Sequence, residues 1–235
     1  MNLYFLVEGD RTETKLYRRW IGHALPHLSE VHLVSDLTGD RFYIISGGGY
    51  PSYVDRIRDS LLDLKDHPAV DHFFICIDSE ERSYEAKRAE IAEELARAEG
   101  DTRVRDDNPN FRSHVIVQHC CAETWFLGHR RMMTRNPTSP DLLRFQHFFD
   151  VRAADPEDMG CLPGYVTRAS FHLAYLKAML VEKNPRLHYT KRNPGEVLEL
   201  HYFDALRERC AAGDLASLRV LLDTWDALTP PHTSP

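Results

Sequence analysis

The first half of the chain alternates short apolar runs with segments of helical periodicity. Residues 3–7, 42–45, 72–77 and 115–117 are apolar runs of strand length, and the first three each end in a polar loop. Apolar positions at helical spacing follow each of those three loops. Strands that alternate with helices predict an α/β fold with a mostly parallel sheet of about four strands flanked by helices.

Local signals place the helix starts, and the pattern changes after residue 122. Thr12 is a candidate N-cap for the first helix, and Pro51 suits the first turn of the second. Beyond residue 122 the periodicity is helical throughout. We therefore expect a core over residues 1–130, a helical extension packed on it over 131–228 and a disordered tail over 229–235.

Composition narrows the function classes. The formal net charge of −7 argues against a protein that coats nucleic acid through one broad basic surface. No apolar stretch reaches the roughly 18 residues of a membrane span, and the N-terminal run is interrupted by Glu8 and Asp10 too early for a signal peptide. The five cysteines show no CxxC spacing. A protein of the reducing cytoplasm, not bound to a membrane, is expected.

Basic residues nevertheless cluster locally, either as solvated helix faces or as sites for phosphate. The three clusters are Arg11, Lys15, Arg18 and Arg19; Arg130, Arg131 and Arg135; and Lys183, Arg186, Lys191 and Arg192.

Three acidic residues follow two of the predicted strands. Glu8 leaves the first, and Asp78 and Glu80 leave the third. Ligands of open α/β sheets bind beyond the carboxyl ends of the strands, so these carboxylates are expected to converge. A hard divalent ion such as Mg²⁺ or Mn²⁺ would neutralise them and recruit phosphate oxygens. Helix caps or solvated loop residues would show the same spacing.

Four short motifs occur in order along the chain. They are Leu6-Val7-Glu8-Gly9-Asp10-Arg11-Thr12-Glu13, Asp78-Ser79-Glu80, the Glu-x-Trp-x-Leu element that begins at Glu123, and Tyr189-Thr190-Lys191. The first two resemble the Toprim domain of topoisomerases, primases and overcoming-lysogenization-defect nucleases. All four together resemble RloB-type proteins. The resemblance implies that residues 1–130 form a Toprim-like, Rossmannoid catalytic core.

The resemblance also implies roles for single residues. Glu8 matches the Toprim glutamate, and Asp78 with Glu80 matches the acidic pair, although that pair is commonly Asp-x-Asp. Glu81 is an alternative to Glu80. Glu123 is implied as a further metal ligand or as a carboxylate beside the ligands, and Lys191 as a catalytic group that holds phosphate or stabilises negative charge.

Four residues are predicted to contact substrate: Gly9, Arg11, Gly48 and Arg130. Gly48 belongs to a Gly47-Gly48-Gly49 turn that exposes N–H groups to an anion or simply forms a tight turn. The thirteen scattered histidines, His119, His129 and His172 among them, show no zinc-protease spacing and are assigned no metal.

The predicted function is hydrolysis of phosphodiester bonds in DNA or RNA by a metal-dependent nuclease. As the resemblance implies, its biology would be bacterial antiphage defence or a toxin-like role, with a separately encoded ATPase as a partner. Two alternatives stay open: a non-catalytic module that binds metal and nucleotide within a larger complex, and primase-like nucleotidyl transfer. A homo-oligomer is also left open.

Overall fold

The computed structural model describes residues 1–49 and 52–229, and it confirms the α/β class. The predicted position of Pro51 and the tail beyond residue 229 lie outside these residues. The five strands are β1 (Asn2–Val7), β2 (Ser29–Glu30), β3 (Arg41–Ser46), β4 (His72–Asp78) and β5 (Arg112–Gln118). They form one sheet in the order β2-β3-β1-β4-β5, and every neighbouring pair is parallel.

Helices cover both faces of this sheet. In the part of the chain that the structure describes, they are α1 (Glu13–Ala24), α2 (Ser52–Asp66), α3 (Tyr84–Thr102), α4 (Val104–Asp107), α5 (Ala122–Phe126), α6 (Pro140–Phe148), α7 (Arg168–Lys183), α8 (Leu200–Ala211) and α9 (Ala216–Leu228). Within the same residues, no helix combines the length and the apolar character needed to cross a bilayer.

The central strand β1 is buried along its whole length because both of its faces pack against helices. Leu3, Phe5 and Val7 join a core with α1 and the helices after residue 122. Tyr4 and Leu6 point to the other face and join a second core with α2 and α3. The chain is therefore built in three layers, with the sheet in the middle.

The helices of the second half close the first of these cores. Trp225 of α9 packs edge-on against Phe5, with ring centroids 6.4 Å apart. Trp20 of α1 stacks on Trp125 of α5, also at 6.4 Å. This packing brings α5, which carries Glu123, to the same side of the sheet as α1.

The sheet has one strand more than the four expected. Strand β2 spans two residues at the edge of the sheet and contains no apolar run, so hydrophobic patterning carries no signal for it. β5 is also longer than the apolar run at 115–117, since it begins at Arg112 with polar residues. Both differences arise at the sheet's outer strands, where burial on two faces is incomplete.

The topology opens a crevice between two central strands. After β1 the chain turns into α1 on one face, and after the neighbouring β4 it turns into α3 on the other face. Adjacent strands whose connections diverge in this way leave a cleft at their carboxyl ends, which is the usual ligand position in open α/β sheets. Glu8 and Asp78 both lie at this point.

Candidate active site

Glu8 is fixed directly after β1 by a turn on the neighbouring strand. The backbone N–H of Gly49 donates to the carbonyl of Glu8 at 3.1 Å, and the Ser46 hydroxyl donates to the same oxygen at 3.3 Å. The Glu8 side chain then accepts the backbone N–H of Asp78 at 3.0 Å through Oε2. The carboxyl ends of β1 and β4 are thus connected through Glu8.

Asp78 has the most unusual environment in the crevice. Its Oδ1 atom is buried and has no hydrogen-bond donor among the described residues. Burial raises the pKa of the Asp78 carboxyl well above its usual range, and the nearby carboxylates of Glu13, Glu8 and Glu123 raise it further. Asp78 is therefore a half-buried acid with one fully buried oxygen in a mostly acidic environment.

Gln118 presents a second oxygen of this kind. It ends β5, pairs directly with Asp78 in the sheet and is fully buried. Its Nε2 donates to the Tyr17 hydroxyl at 3.4 Å, while its Oε1 has no donor in the described part of the chain. Two neighbouring buried acceptors without donors are uncommon in a folded protein, and a cation is one partner that satisfies both.

Glu13, at the start of α1, also belongs to the site. Burial raises the pKa of Glu13, and Glu123 contributes to the rise. A β-carbon at Gly9 would lie 2.6 Å from Glu13 Oε2, so the Glu13 carboxylate would have to shift away from the turn if any other residue stood there. This gives Gly9 a packing role. The first motif contained both residues, but sequence reasoning did not assign Glu13 a function.

Glu123 is buried on α5, where Tyr189 holds it. The Tyr189 hydroxyl donates to Glu123 Oε1 at 2.8 Å. Burial and the adjacent carboxylate raise the pKa of Tyr189, so the phenol stays protonated and continues to donate. Trp125, two residues further on, is fully buried, as expected for a core tryptophan.

Lys191 brings a positive charge to these acids. Burial lowers the pKa of the Lys191 amine, but the carboxylates of Glu123, Asp78 and Glu13 raise it more, and the net shift is upward. The Thr12 hydroxyl donates to the Lys191 carbonyl at 3.1 Å. Thr12 does occupy the N-cap position of α1, but its side chain does not cap the helix. It connects the α1 start to the Lys191 loop.

Glu80 and Glu81 differ in their surroundings. Glu80 is exposed, has a left-handed backbone with φ of 51°, and contributes to the raised pKa of Glu8. Glu81 instead accepts the backbone N–H of Arg168 at 2.7 Å and forms an ion pair with its guanidinium. Of the two, Glu80 is the one that interacts electrostatically with Glu8.

The predicted substrate contacts are dispersed. Arg11 is exposed beside the first motif, and the N–H of Gly48 donates to Ser46 Oγ at 3.2 Å, within its own turn. Arg130 pairs with Asp214 at 2.8 Å and lines a groove of about 700 Å³. The same groove contains basic residues from two of the sequence clusters and one further arginine: Arg130, Arg131, Arg135, Arg152 and Lys183.

The predicted metal ligands interact electrostatically without meeting at a single point. Within residues 1–49 and 52–229, one group of His, Cys, Asp or Glu has three ligand atoms all within 4.8 Å of one another. That group is Cys120, Cys121 and His172, which sequence reasoning left without a ligand role. The four predicted ligands, Glu8, Asp78, Glu80 and Glu123, do not meet this distance.

Comparison with known proteins leaves the family open. No protein-family model, no curated protein and no solved structure matches this chain. The Toprim and RloB-like resemblance therefore remains a prediction that rests on the four motifs.

Proposed function

We propose that this protein hydrolyses phosphodiester bonds in nucleic acid with the help of Mg²⁺ or Mn²⁺. The observation that supports the proposal most directly is Asp78, whose buried Oδ1 lacks a donor among the described residues while three other carboxylates raise the pKa of its side chain. An acid with a buried oxygen and several like charges around it is costly for a fold even with Lys191 nearby, so such an arrangement is typical of a functional site.

The donor set suits a hard divalent cation. Asp78 Oδ1 would be its first ligand, and the oxygens of Glu8, Glu80, Glu123 and Gln118 would have to move closer to complete the set. A bound ion of this class polarises a phosphoryl oxygen and lowers the pKa of a bound water, which are the two requirements of phosphodiester hydrolysis.

The chain's own residues would supply the remaining electrostatics. The upward-shifted pKa of Lys191 keeps its ammonium group charged, and that charge favours the phosphate of a substrate and the negative charge that develops on it. Tyr189 fixes the orientation of the Glu123 carboxylate. The basic groove around Arg135 and Arg152 offers a local surface for a polyanion in a protein of net negative charge.

The decisive experiment is a cleavage assay on single-stranded DNA, double-stranded DNA and transfer RNA with Mg²⁺, Mn²⁺ or EDTA. We expect cleavage that EDTA abolishes and that Glu8→Gln and Asp78→Asn each reduce by on the order of 10²–10³-fold, the usual cost of removing one preorganised electrostatic group. Glu157→Gln is the matched control, because Glu157 is also a buried acid with a raised pKa and contacts Ser217.

Three other outcomes would overturn the nuclease. If the folded protein binds Mn²⁺ through Asp78 and cuts none of these substrates, the site is a binding module. If it binds nucleoside triphosphate tightly and extends a primer without cleavage, nucleotidyl transfer replaces hydrolysis. Equal cleavage by wild type, Glu8→Gln and Asp78→Asn would identify a contaminating nuclease.

A further inference from the structure

Cys120, Cys121 and His172 form a separate cluster beside the acidic crevice. The two cysteines follow β5 directly, and Cys121 is the N-cap residue of α5. His172 lies on α7, which packs against α5. All three side chains are buried, with one ligand atom from each within 4.8 Å of the other two.

The histidine ring is oriented for coordination. Its Nε2 lies 3.3 Å from the carbonyl oxygen of Met159. A carbonyl oxygen only accepts, so Nε2 carries the proton and Nδ1 keeps a lone pair. Metal-bound histidines commonly donate their second ring nitrogen to a backbone carbonyl in this manner. The Met159 contact thus selects the tautomer that a metal needs.

Thr124 lies between the donors. Its Oγ1 is 2.7 Å from His172 Nδ1 and 3.6 Å from Cys121 Sγ. Ligands around a tetrahedral zinc ion, with bonds of about 2.0–2.3 Å, are themselves about 3.3–3.8 Å apart. The three ligand atoms, which lie within 4.8 Å of one another, would have to move closer by up to about 1.5 Å to share one ion, and a water would complete the four ligands.

We propose that Cys120, Cys121 and His172 bind a zinc ion, independently of the Mg²⁺ or Mn²⁺ chemistry proposed above. Thiolate and imidazole are ligands that zinc prefers, whereas the crevice offers carboxylate and amide oxygens to a hard cation. Each thiol loses a proton as the ion binds. The ion would join the end of β5 to α5 and α7 and so fix the helix that carries Glu123.

Titration of the metal-free full-length protein with Co²⁺ tests the site without relying on catalysis. In excess Mg²⁺, which would occupy the crevice, we expect one Co²⁺ per chain with thiolate-to-cobalt charge-transfer absorption, and stoichiometric Zn²⁺ should remove that absorption. Cys120→Ser and Cys121→Ser should each lose the absorption. Two control variants should retain the charge-transfer absorption. They are Cys161→Ser, which changes a half-buried cysteine outside the cluster, and Asp78→Asn.

Alkylation of the wild-type protein provides a test that needs no variant to fold. Because both thiols are buried, alkylation is followed in urea near the unfolding midpoint, where Zn²⁺ should slow the labelling of Cys120 and Cys121 by at least about tenfold relative to Cys161. Four outcomes would each overturn the proposal. The charge-transfer band could be absent, it could persist in a Cys120→Ser and Cys121→Ser double variant, or it could be lost in Asp78→Asn. The fourth is equal alkylation with and without Zn²⁺.

Discussion

Asp78 and Glu157 are both acids held away from water, but their surroundings differ. Glu157 accepts the Ser217 backbone N–H at 3.1 Å and the Ser217 hydroxyl at 2.5 Å, at the point where α9 begins. Burial raises the pKa of Glu157 to about 7 despite these bonds. Asp78 has one buried oxygen with no donor in the described structure, and carboxylates surround it.

The difference separates an acid that stabilises the fold from an acid that is available to a ligand. Glu157 satisfies the first turn of α9, and Ser217 also accepts the Trp125 indole N–H at 2.7 Å, so this contact joins two parts of the core. Asp78 gives the fold no comparable bond through Oδ1 and retains its repulsion with other acids. A cation would relieve that repulsion.

The largest expected effect is the loss of the Glu157 contact. Glu157→Ala leaves the Ser217 N–H without its acceptor and should reduce the free energy of unfolding by about 1–3 kcal/mol. Asp78→Asn should leave the stability of the metal-free protein unchanged or raise it, because it removes a group whose ionisation the neighbouring carboxylates oppose. Urea denaturation of both variants with EDTA measures the contrast, with Glu157→Gln as the conservative control. Equal destabilisation by both substitutions would contradict it.

The substitution Tyr189→Phe tests the same difference within the crevice. Glu123 is the carboxylate there that has a hydrogen-bond donor, the Tyr189 hydroxyl. If Glu123 serves the site, removal of the phenol should weaken Mn²⁺ binding by about tenfold, the lower end for a group that orients a metal ligand. Mn²⁺ affinity by calorimetry, paired with urea denaturation, measures it. Reduced stability with unchanged Mn²⁺ affinity would place Glu123 with Glu157 as a fold contact.

The sequence was sufficient to predict the fold class. Apolar runs that end in acids identified Glu8 and Asp78, and parallel strands place their carboxyl ends at one edge, which the structure confirms for these two residues. Strand β2 was not predictable from periodicity, because two half-exposed residues at an edge carry no hydrophobic pattern.

The remaining site residues depend on contacts that no local pattern encodes. Gln118 is the last residue of a strand, and its pairing with Asp78 fixes its role. Glu13 was recognised as part of the site only because the structure places its carboxylate close to Gly9. His172 lies on a helix that is remote in sequence from the two adjacent cysteines. No known spacing pattern of metal ligands therefore points to this cluster in the sequence.

The smallest expected effect is a pH dependence that distinguishes the two acids. A carboxyl with a raised pKa in the folded state keeps its proton where the unfolded chain has released it, so stability falls as pH rises from the ordinary carboxyl pKa to the folded one. For Glu157 this fall lies between about 4.5 and about 7. For Asp78 it begins near the ordinary value of 3.8 and extends well above it. Thermal denaturation across this range should show a fall that Glu157→Gln and Asp78→Asn each reduce.

Mg²⁺ should offset only the part of the fall that Asp78→Asn removes, because a cation replaces the proton in the crevice and has no access to the Glu157–Ser217 contact. An offset of the same size in wild type and Asp78→Asn would show that Mg²⁺ acts elsewhere.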